Sequence, residues 1–394
     1  MLAHGVPVRQ GSLREHNLAL VLRTVAASAR PISRADIAGV TGLTRATVSA
    51  LVDDLIAGRL LAESPPAPRT GAGRPAAGLA LSAGGPAGLG LEVNVDYLAA
   101  CVVDLTGAVR HRTVRRADQR PRPPSDVLVE LRHLADAATA DASGQGLVVA
   151  GAALAVPGLV DAGGVVRFAP NLGWRDVPAR AALAALSAGT LSIDNEANFA
   201  ALGELHAGAE RSFLYVSGEI GIGAGLVLDG RLVRGARGWS GEIGHVAVRP
   251  DGPECRCGAR GCLERYAGEE AILAGAGLEG PPSGAVARLA EAAGAGQAAA
   301  LAALDGAATA LGVVVAGVVN LLDVDTVVLG GVYARLAPWL APGVEREIAA
   351  RVLTSRWSSV RVRASALGGD AAVLGAAGSV VRDVLHHPAG WLVA

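Results

Sequence analysis

The chain has 394 residues, of which 51% are hydrophobic, and a formal net charge of -1. A chain of this size buries at least one large core and has room for two or three domains. The first residues lack the charged-then-apolar pattern of a secretory leader, and the longest apolar stretch, residues 306–322, is rich in Gly and Ala and is closed by Asp323. We therefore expect a soluble, cytoplasmic protein with no membrane partner, in which that stretch forms a buried helix.

Charge is distributed unevenly along the chain. Residues 1–87 contain nine Arg and five acidic residues, whereas residues 88–394 contain 26 Arg and 31 acidic residues. A stretch rich in Pro, Gly and Ala, residues 63–85, lies at the junction. A basic head on an acidic body indicates two roles. The sequence predicts a head of residues 1–85 and a body of residues 86–394.

Three helices are predicted in the head. The first has apolar residues at helical spacing, namely Leu18, Val21, Leu22 and Val25. Ser33 is expected to cap the second helix, with Asp36 completing a capping box. Thr44 is expected to cap a third helix that runs to about Ala57. This order is typical of a helix-turn-helix, in which the third helix is the recognition helix.

The third helix is predicted to present polar residues to DNA. Its apolar positions, Val48, Leu51, Val52 and Leu55, face inward, so the polar residues of its first turns face outward. Two short strands follow, and the tip of their hairpin wing carries Arg74, whose guanidinium suits a narrow minor groove. The candidate DNA-binding residues are Ser33, Arg34, Thr44, Arg45, Thr47, Ser49 and Arg74.

Two further expectations concern the partners of the head. Three-helix modules also serve as protein-binding adaptors, so the alternative is a head that binds a protein instead of DNA. One head would make few phosphate contacts and bind operator DNA weakly. We therefore expect a homodimer or homotetramer that offers two heads to a palindromic operator.

The stretch "ECRCGARGCLE" predicts a metal site. It places Cys255, Cys257 and Cys262 within eight positions, and His245 lies ten residues before the first of them. Three thiolates and one imidazole form a closed tetrahedral set typical of structural Zn2+, with no open position for catalysis. Clustered cysteines in a chain with four in total fit a reducing compartment better than a disulfide framework. The alternative is that these are unligated core thiols.

The body contains one strand pattern twice. Residues 89–116 are predicted to form three strands joined by tight turns, with Thr106 and Gly107 at the second turn. Residues 213–235 repeat the pattern, with Asp229 and Gly230 at the matching turn. The repetition predicts two related α/β lobes with a cleft between them.

The glycine run of residues 221–245, followed by "CRCGARGCLE" at residues 255–264, resembles the signature of the ROK family of repressors and sugar kinases. Further matches are "VPGLVD" (156–161), "APNLGW" (169–174), "DNEANFAALGE" (194–204), "VVLGG" (327–331) and "GGDAAVLGAA" (368–377). The resemblance covers nearly the whole chain and fits the repressor branch of the family. It implies an α/β chain with an N-terminal winged helix-turn-helix and an actin-like (ribonuclease H-like) two-lobed sugar-kinase fold.

The resemblance also implies a sugar-binding cleft. Zinc would clamp the loop of residues 245–264, which carries sugar contacts, and Trp174 would help to wall the cleft. A buried polar group left unpaired costs about 1 to 3 kcal/mol, so such a site discriminates between sugars by their hydroxyls. The residues that match the sugar-binding positions are Asn171, Asn195, Glu196, Glu242, His245 and Glu264.

Two departures from the kinase pattern argue against enzymatic activity. ROK kinases carry an Asp-x-Gly-Gly-Thr-like phosphate loop, whereas residues 92–97 here are "EVNVDY". Kinases also have Asn-Asp where this chain has Asn195 and Glu196, and the extra methylene displaces the carboxylate. We expect a sugar-responsive transcriptional regulator, a repressor of carbohydrate-utilisation genes. The alternative is an active sugar kinase with a regulatory head, and the identity of the sugar and the sign of the response stay open.

Overall fold

In the part of the head that the structure describes, three helices are followed by a two-stranded hairpin. The structure is a computed structural model and describes residues 10–64, 77–186, 189–208, 210–278 and 284–392. The antiparallel hairpin has the position of the predicted wing, and its tip, with Arg74, lies outside the described residues. The elements are α1 (Gln10–Ala26), α2 (Arg34–Thr41), α3 (Arg45–Ala57), β1 (Leu61–Ser64) and β2 (Gly78–Leu81).

The caps of α2 and α3 are as predicted, with one difference. The Ser33 hydroxyl accepts the Asp36 backbone N–H at 3.2 Å, and the Thr44 hydroxyl accepts that of Thr47 at 3.1 Å. The Asp36 carboxylate, however, accepts the Ser33 hydroxyl at 2.6 Å, where a full capping box would have it accept the Ser33 backbone N–H. Aspartate is one methylene shorter than the glutamate of that motif, so its carboxylate reaches the nearer group.

Two five-stranded sheets form the body. Each has the strand order 3-2-1-4-5, in which an antiparallel meander is extended by two parallel strands. The first sheet is β5-β4-β3-β6-β10, the second is β13-β12-β11-β14-β15, and β7 to β9 form a small separate sheet. The strands are β3 (Pro86–Val93), β4 (Tyr97–Asp104), β5 (Val109–Arg116), β6 (Val148–Val156), β7 (Leu159–Val160), β8 (Val166–Ala169), β9 (Trp174–Val177), β10 (Thr190–Asn195), β11 (Phe213–Gly218), β12 (Ile222–Leu228), β13 (Arg231–Leu232), β14 (Thr326–Gly331) and β15 (Arg361–Ala364).

The predicted repeat is therefore a repeat of whole lobes. We call the lobe of the first sheet the N-lobe and that of the second the C-lobe. The matching hairpin turn of the C-lobe has Asp229 at φ 50° and Gly230 at φ 74°, the left-handed geometry that the Asp-Gly pair predicts. The body helices are α4 (Pro124–Gly144), α5 (Ala179–Ala182), α6 (Glu196–Ala207), α7 (Glu264–Ala267), α8 (Glu269–Gly275), α9 (Ala285–Gly294), α10 (Ala298–Leu322), α11 (Val332–Arg351), α12 (Ala371–His386) and α13 (Pro388–Leu392).

Helix α10 is the apolar helix expected from residues 306–322. It is long and apolar enough to cross a bilayer, and 56% of its most apolar window is buried within the protein. Its inner face, with Leu304, Leu311 and Val315, lies in the core of the C-lobe. That packing is the one expected of a core helix.

Helices α6 and α12 lie between the two sheets and join the lobes. Phe199 of α6 and Ala376 of α12 share a buried cluster with Ala153 of β6 and Tyr215 of β11. Small residues let the two helices approach closely. At Gly375 of α12, an added Cβ would lie only 1.8 Å from the Phe199 carbonyl oxygen. These two helices therefore form the packed layer that connects the two lobes.

The core of the head continues into the body. On β4, Ala100 and Val102 face the core that contains α4, while Ala99 and Cys101 face the other side, as the two-residue period of a strand requires. That second face shares one buried cluster with the head and with α12. The buried head residues of this cluster include the predicted stripes of α1 (Leu18, Val21, Leu22, Val25) and α3 (Val48, Leu51, Val52, Leu55).

Candidate functional site

A cavity of about 320 Å³ lies between the two lobes. The N-lobe contributes the turn after β3, residues 157–159 and residues 168–171. The C-lobe contributes the β11–β12 turn and the loop of residues 245–264, which we call the cysteine loop. Apolar side chains such as Leu159, Phe168 and Ile220 line part of it. All six predicted sugar-binding residues border this one cavity, namely Asn171, Asn195, Glu196, Glu242, His245 and Glu264.

Asn195 and Glu196 stand where β10 ends and α6 begins. The Asn195 Oδ1 caps α6 by accepting the Ala197 N–H at 2.8 Å, and its Nδ2 donates to the Gly158 carbonyl at 3.1 Å. An amide has two lone pairs and two N–H groups, so one acceptor and one donor site remain for a ligand. The predicted ligand residue is thus also a structural cap.

Glu196 presents a carboxyl group to the cavity. Its Oε2 atom is buried and has no hydrogen-bond partner among the described residues. Burial raises the pKa of Glu196 well above its ordinary value, and the nearby carboxylates of Glu242, Glu92 and Glu219 raise it further. A buried carboxyl oxygen without a partner is an atom that a ligand hydroxyl would satisfy.

Asn171 and Glu264 converge from opposite lobes over Gly221. A Cβ added at Gly221 would lie 2.7 Å from both Asn171 Nδ2 and Glu264 Oε2. The glycine therefore keeps open the space in which a donor and an acceptor meet. By contrast, the expectation for Trp174 is wrong, because this side chain is 1% exposed in the N-lobe core and does not line the cavity.

The predicted metal ligands lie together beside the cavity. One ligand atom from each of His245, Cys255, Cys257 and Cys262 lies within 4.8 Å of all the others. Cys257 Sγ is 3.7 Å from Cys262 Sγ, and Cys255 Sγ is 3.9 Å from His245 Nδ1. A zinc tetrahedron with Zn–S bonds of ~2.3 Å has edges of about 3.8 Å, so the donor set fits this ion.

Two features of the donor set suit a closed structural site. Burial raises the pKa of the Cys262 thiol to about 12, and a bound cation would hold that thiol as thiolate. Gly261 has φ 71°, and an added Cβ would collide with the Arg249 carbonyl oxygen, so the loop turns here only with glycine.

His245 has one ring nitrogen on each side of this arrangement. Its Nδ1 faces Cys255, and its Nε2 lies 4.0 Å from a carboxylate oxygen of Glu242, which borders the cavity. Burial raises the pKa of Glu242, while His245 lowers it. His245, which is predicted both as a metal ligand and as a sugar contact, thus lies between the cysteines and the cavity.

The sequence did not point to the carboxyls at the far end of the cleft. Glu219, in the β11–β12 turn, borders the cavity, and its Oε1 lies close to Gly331. Burial together with Glu92 raises the pKa of Glu219 to about 8. In the turn after β3, Asn94 and Val95 have buried side chains where a phosphate cradle would need glycines. An acidic side chain therefore lies at the β11–β12 turn, and buried, bulkier side chains lie at the turn after β3.

Two contacts across the cleft were also missing from the sequence-based expectations. The Arg234 Nε donates to Asp194 Oδ2 at 2.8 Å, and the Trp239 indole donates to the Val160 carbonyl at 3.0 Å. Each joins a residue of the C-lobe to one of the N-lobe. The glycine-rich loop of residues 233–242 is therefore fastened to both lobes.

The candidate DNA-binding residues differ in how far they are engaged within the protein. Arg45 is exposed at the start of α3, whereas Ser33 and Thr44 use their hydroxyls as helix caps. Arg34 pairs with Asp53 at 2.9 Å and with Glu63 at 3.3 Å. Thr47 shares a hydrogen bond of 2.8 Å with Thr44, and Ser49 is half-buried in the second turn of α3.

The fold and the cleft define a two-lobed, actin-like protein of the sugar-kinase type, with an N-terminal head whose described part has three helices and a β-hairpin. The ROK family model matches residues 88–382. The chain therefore belongs to the ROK family, in its repressor branch.

Its relatives differ in how much of the chain they cover. The xylose repressor of Bacillus subtilis is 30% identical over 382 residues, which cover 95% of this chain and 97% of the repressor. A ROK family transcriptional regulator homologous to E. coli Mlc superposes with a TM-score of 0.78 and 26% identity over 97% of this chain and 98% of its own. A ROK glucokinase from Streptomyces griseus, solved with glucose and AMPPNP, has a TM-score of 0.65 and 27% identity, and it covers 74% of this chain and 98% of its own.

Proposed function

We propose that this protein is a sugar-responsive, DNA-binding transcriptional repressor of carbohydrate-utilisation genes. The observation that carries the proposal is the meeting of six polar side chains from two lobes at one cavity, in a body whose core is continuous with that of the head. The regulators and repressors among its relatives match the chain over nearly its full length, head included.

The cleft is suited to a neutral sugar. It offers the carboxyls of Glu196, Glu242 and Glu264 as acceptors and the amides of Asn171 and Asn195 as donors. Carboxyl and amide oxygens accept hydroxyl hydrogen bonds, whereas a phosphate group would need a cation, and the described residues that line the cavity include no Arg or Lys. A free sugar is therefore favoured over a sugar phosphate.

The head, residues 1–85, is proposed to bind operator DNA through the first turns of α3. Arg45, Thr47 and Ser49 would meet base edges or phosphates, with Ser33, Arg34 and Thr44 at the rim and Arg74 of the wing in the minor groove. A homodimer or homotetramer in the cytoplasm would place two heads on a palindrome. Sugar binding to the body, residues 86–394, would shift operator affinity by its differential affinity for two arrangements of the lobes.

Structural zinc is proposed at His245, Cys255, Cys257 and Cys262, which would stiffen the loop of residues 245–264 along one wall of the cleft. With four protein donors the ion has no open position, so it supplies rigidity and no chemistry. Because His245 is also a wall of the cavity, loss of the ion would loosen a sugar contact.

Kinase activity is proposed to be absent. The phosphates of ATP would meet the Glu219 side chain and the buried side chains of the turn after β3, where a phosphate cradle would need glycines. The kinases among the relatives keep the enzyme alternative testable. If the protein phosphorylates D-glucose or D-xylose with ATP at ordinary kinase rates, about 1 to 100 per second, the sensor proposal is wrong.

The test combines the two binding activities in the full-length protein. D-xylose, D-glucose and other common sugars are screened by thermal shift, because a ligand of the folded state raises the melting temperature. The sugar that shifts it is then added to the protein on DNA from its own upstream region. Salt-dependent DNA binding that the sugar alters supports the proposal. DNA binding that no stabilising sugar alters contradicts it.

A further inference from the structure

Arg256 stands between two of the candidate metal ligands and reaches across the cleft. It lies between Cys255 and Cys257, and its Nη1 donates to Asn171 Oδ1 of the N-lobe at 3.3 Å. Its Nη2 donates to Glu270 Oε2 at 2.8 Å, at the start of α8. One guanidinium thus connects Glu270 of the C-lobe with Asn171, a candidate sugar-binding residue of the N-lobe.

The contact has a consequence for the chemistry that Asn171 offers. An asparagine amide presents either its oxygen or its nitrogen to a ligand, and its hydrogen-bond partners decide which. Arg256 is a pure donor and takes the oxygen, so Nδ2 is directed towards Gly221 and Glu264. The cavity then offers an N–H donor from Asn171 beside a carboxylate acceptor from Glu264.

We propose that Arg256 is a positioning residue that fixes the Asn171 amide as a donor and thereby couples the cysteine loop to sugar recognition. The inference rests on the proposed sugar-binding function of the cleft and deepens it. A donor and an acceptor that converge on one space match a ligand with neighbouring hydroxyls, one accepting and one donating. A sugar lacking one of that pair of hydroxyls leaves a buried group unpaired and binds more weakly.

The two partners of this side chain favour arginine over lysine. It bonds two partners in different directions, Asn171 and Glu270, with separate nitrogens of one rigid fork. Lysine is a point charge on a flexible stem and holds two such partners poorly. In addition, Glu270 lies 4.0 Å from Arg120 of the N-lobe, so the same carboxylate continues the contact across the mouth of the cleft.

The loop provides a matched control. Arg260 lies in the same loop with a side chain 57% exposed, against 47% for Arg256. It donates to Glu254 and to the Gly252 carbonyl, both in its own loop. Arg260→Ala therefore removes the same charge from the same loop, two positions from the candidate ligand Cys262, without touching the other lobe.

The experiment uses the full-length, metal-loaded protein and two measurements. Calorimetric titration with D-glucose and with D-xylose gives the affinity of the wild type, Arg256→Ala, Arg256→Lys, Arg260→Ala, Asn171→Ala and the double variant Arg256→Ala/Asn171→Ala. We expect Arg256→Ala to weaken sugar binding about 10-fold or more, as loss of a residue that orients a ligand contact does, with little rescue by lysine. In the Asn171→Ala background, Arg256→Ala should weaken sugar binding by less than about twofold.

The second measurement needs no sugar. Hydrogen exchange of residues 169–173 should quicken in Arg256→Ala and stay unchanged in Arg260→Ala, with equal zinc content in both. If the wild type binds sugar and the two Arg256 effects on affinity are equal with and without Asn171, the inference is wrong and the proposed function stands. If the wild type binds neither sugar, the proposed function fails for these sugars, and the exchange of residues 169–173 alone decides the role of Arg256.

Discussion

Trp391 of α13 donates its indole N–H to the carbonyl oxygen of Gly58 in the head at 2.8 Å. Leu392 packs against the same glycine, where a Cβ would lie 2.1 Å from its side chain. The C-terminal helix α13 therefore packs on the head, and α12, which begins beside the cleft, leads directly into this contact. A change in the packing of α12 therefore has a structural route to the head.

The indole hydrogen bond is expected to stabilise the head on the body. Trp391→Phe removes the donor and leaves the Gly58 carbonyl without it, which should lower the free energy of unfolding by about 1 kcal/mol. Calorimetry measures this against Trp357→Phe, a control at a side chain that is 80% exposed. Equal effects of the two substitutions would show that the contact contributes nothing.

The cysteine cluster is expected to hold one zinc ion per chain. Cys257→Ser should weaken zinc affinity by more than about 100-fold, beyond the loss typical of a residue that only supports a ligand, and should lower the melting temperature. Elemental analysis of the purified variant measures this. Cys101→Ser is the control, since Cys101 is buried in the cluster shared with the head. Unchanged zinc content in Cys257→Ser would refute the ligand assignment.

Glu264 is expected to accept a sugar hydroxyl. Glu264→Gln should weaken binding of the recognised sugar by about 10- to 100-fold, because a charge-assisted acceptor becomes a neutral amide. Titration calorimetry measures the loss. Glu254→Gln, at a carboxylate 80% exposed in the neighbouring loop, makes the same chemical change outside the cavity and should leave affinity unaltered.

Arg45 is expected to contact operator DNA. Arg45→Ala should weaken DNA binding by about 1 to 3 kcal/mol while sugar affinity is retained. If the contact is to phosphate, the slope of log K against log salt should fall by about one. Arg335→Ala, which removes an exposed charge on α11 of the C-lobe, is the control. DNA affinity that is unchanged by Arg45→Ala would mean that α3 is not the recognition helix.

Glu92 is expected to make stability depend on pH. Burial raises its pKa from 4.5 to about 7, and its Oε1 accepts the Tyr97 hydroxyl at 2.7 Å. Below pH 4.5 the carboxyl is protonated in both states. As the pH rises from 4.5 to 7 the unfolded chain loses this proton and the folded protein keeps it, so the stability contributed by the protonated group is lost.

Glu92→Gln removes this dependence. The variant should match the wild type near pH 4 and exceed it above pH 7, by about 3 kcal/mol at most. Chemical denaturation at both pH values measures the difference. A variant that is less stable than the wild type at pH 8 would show that the Glu92 carboxylate is stabilised when ionised.

Much of the head and of the metal cluster was predictable because the signals are local. Helix periodicity gave the buried faces of α1 and α3, and the caps at Ser33 and Thr44 involve residues three positions apart. The cysteines lie within eight positions, so the loop alone brings them near one another. Even there, the bonding of Asp36 differed, since the length of a side chain decides which of two nearby donors it reaches.

The family resemblance identified residues at the cleft, but it did not predict their hydrogen-bond partners. Asn195 proved to be both a helix cap and a cavity residue, and Trp174, expected in the cleft wall, belongs to the N-lobe core. The carboxyls of Glu92 and Glu219 also escaped the sequence-based analysis. Their proximity depends on how β3 and β11 of different sheets face each other.

By itself, the sequence determined the helices of the head, the capping hydroxyls of Ser33 and Thr44 and the four candidate metal donors, because groups close along the chain need only local geometry to meet. Tertiary structure alone decided that Arg256 meets Asn171, Arg234 meets Asp194 and Trp391 meets Gly58, pairs separated by 85, 40 and 333 positions. Such contacts are set by the packing of two sheets about α6 and α12, and no local periodicity encodes that packing.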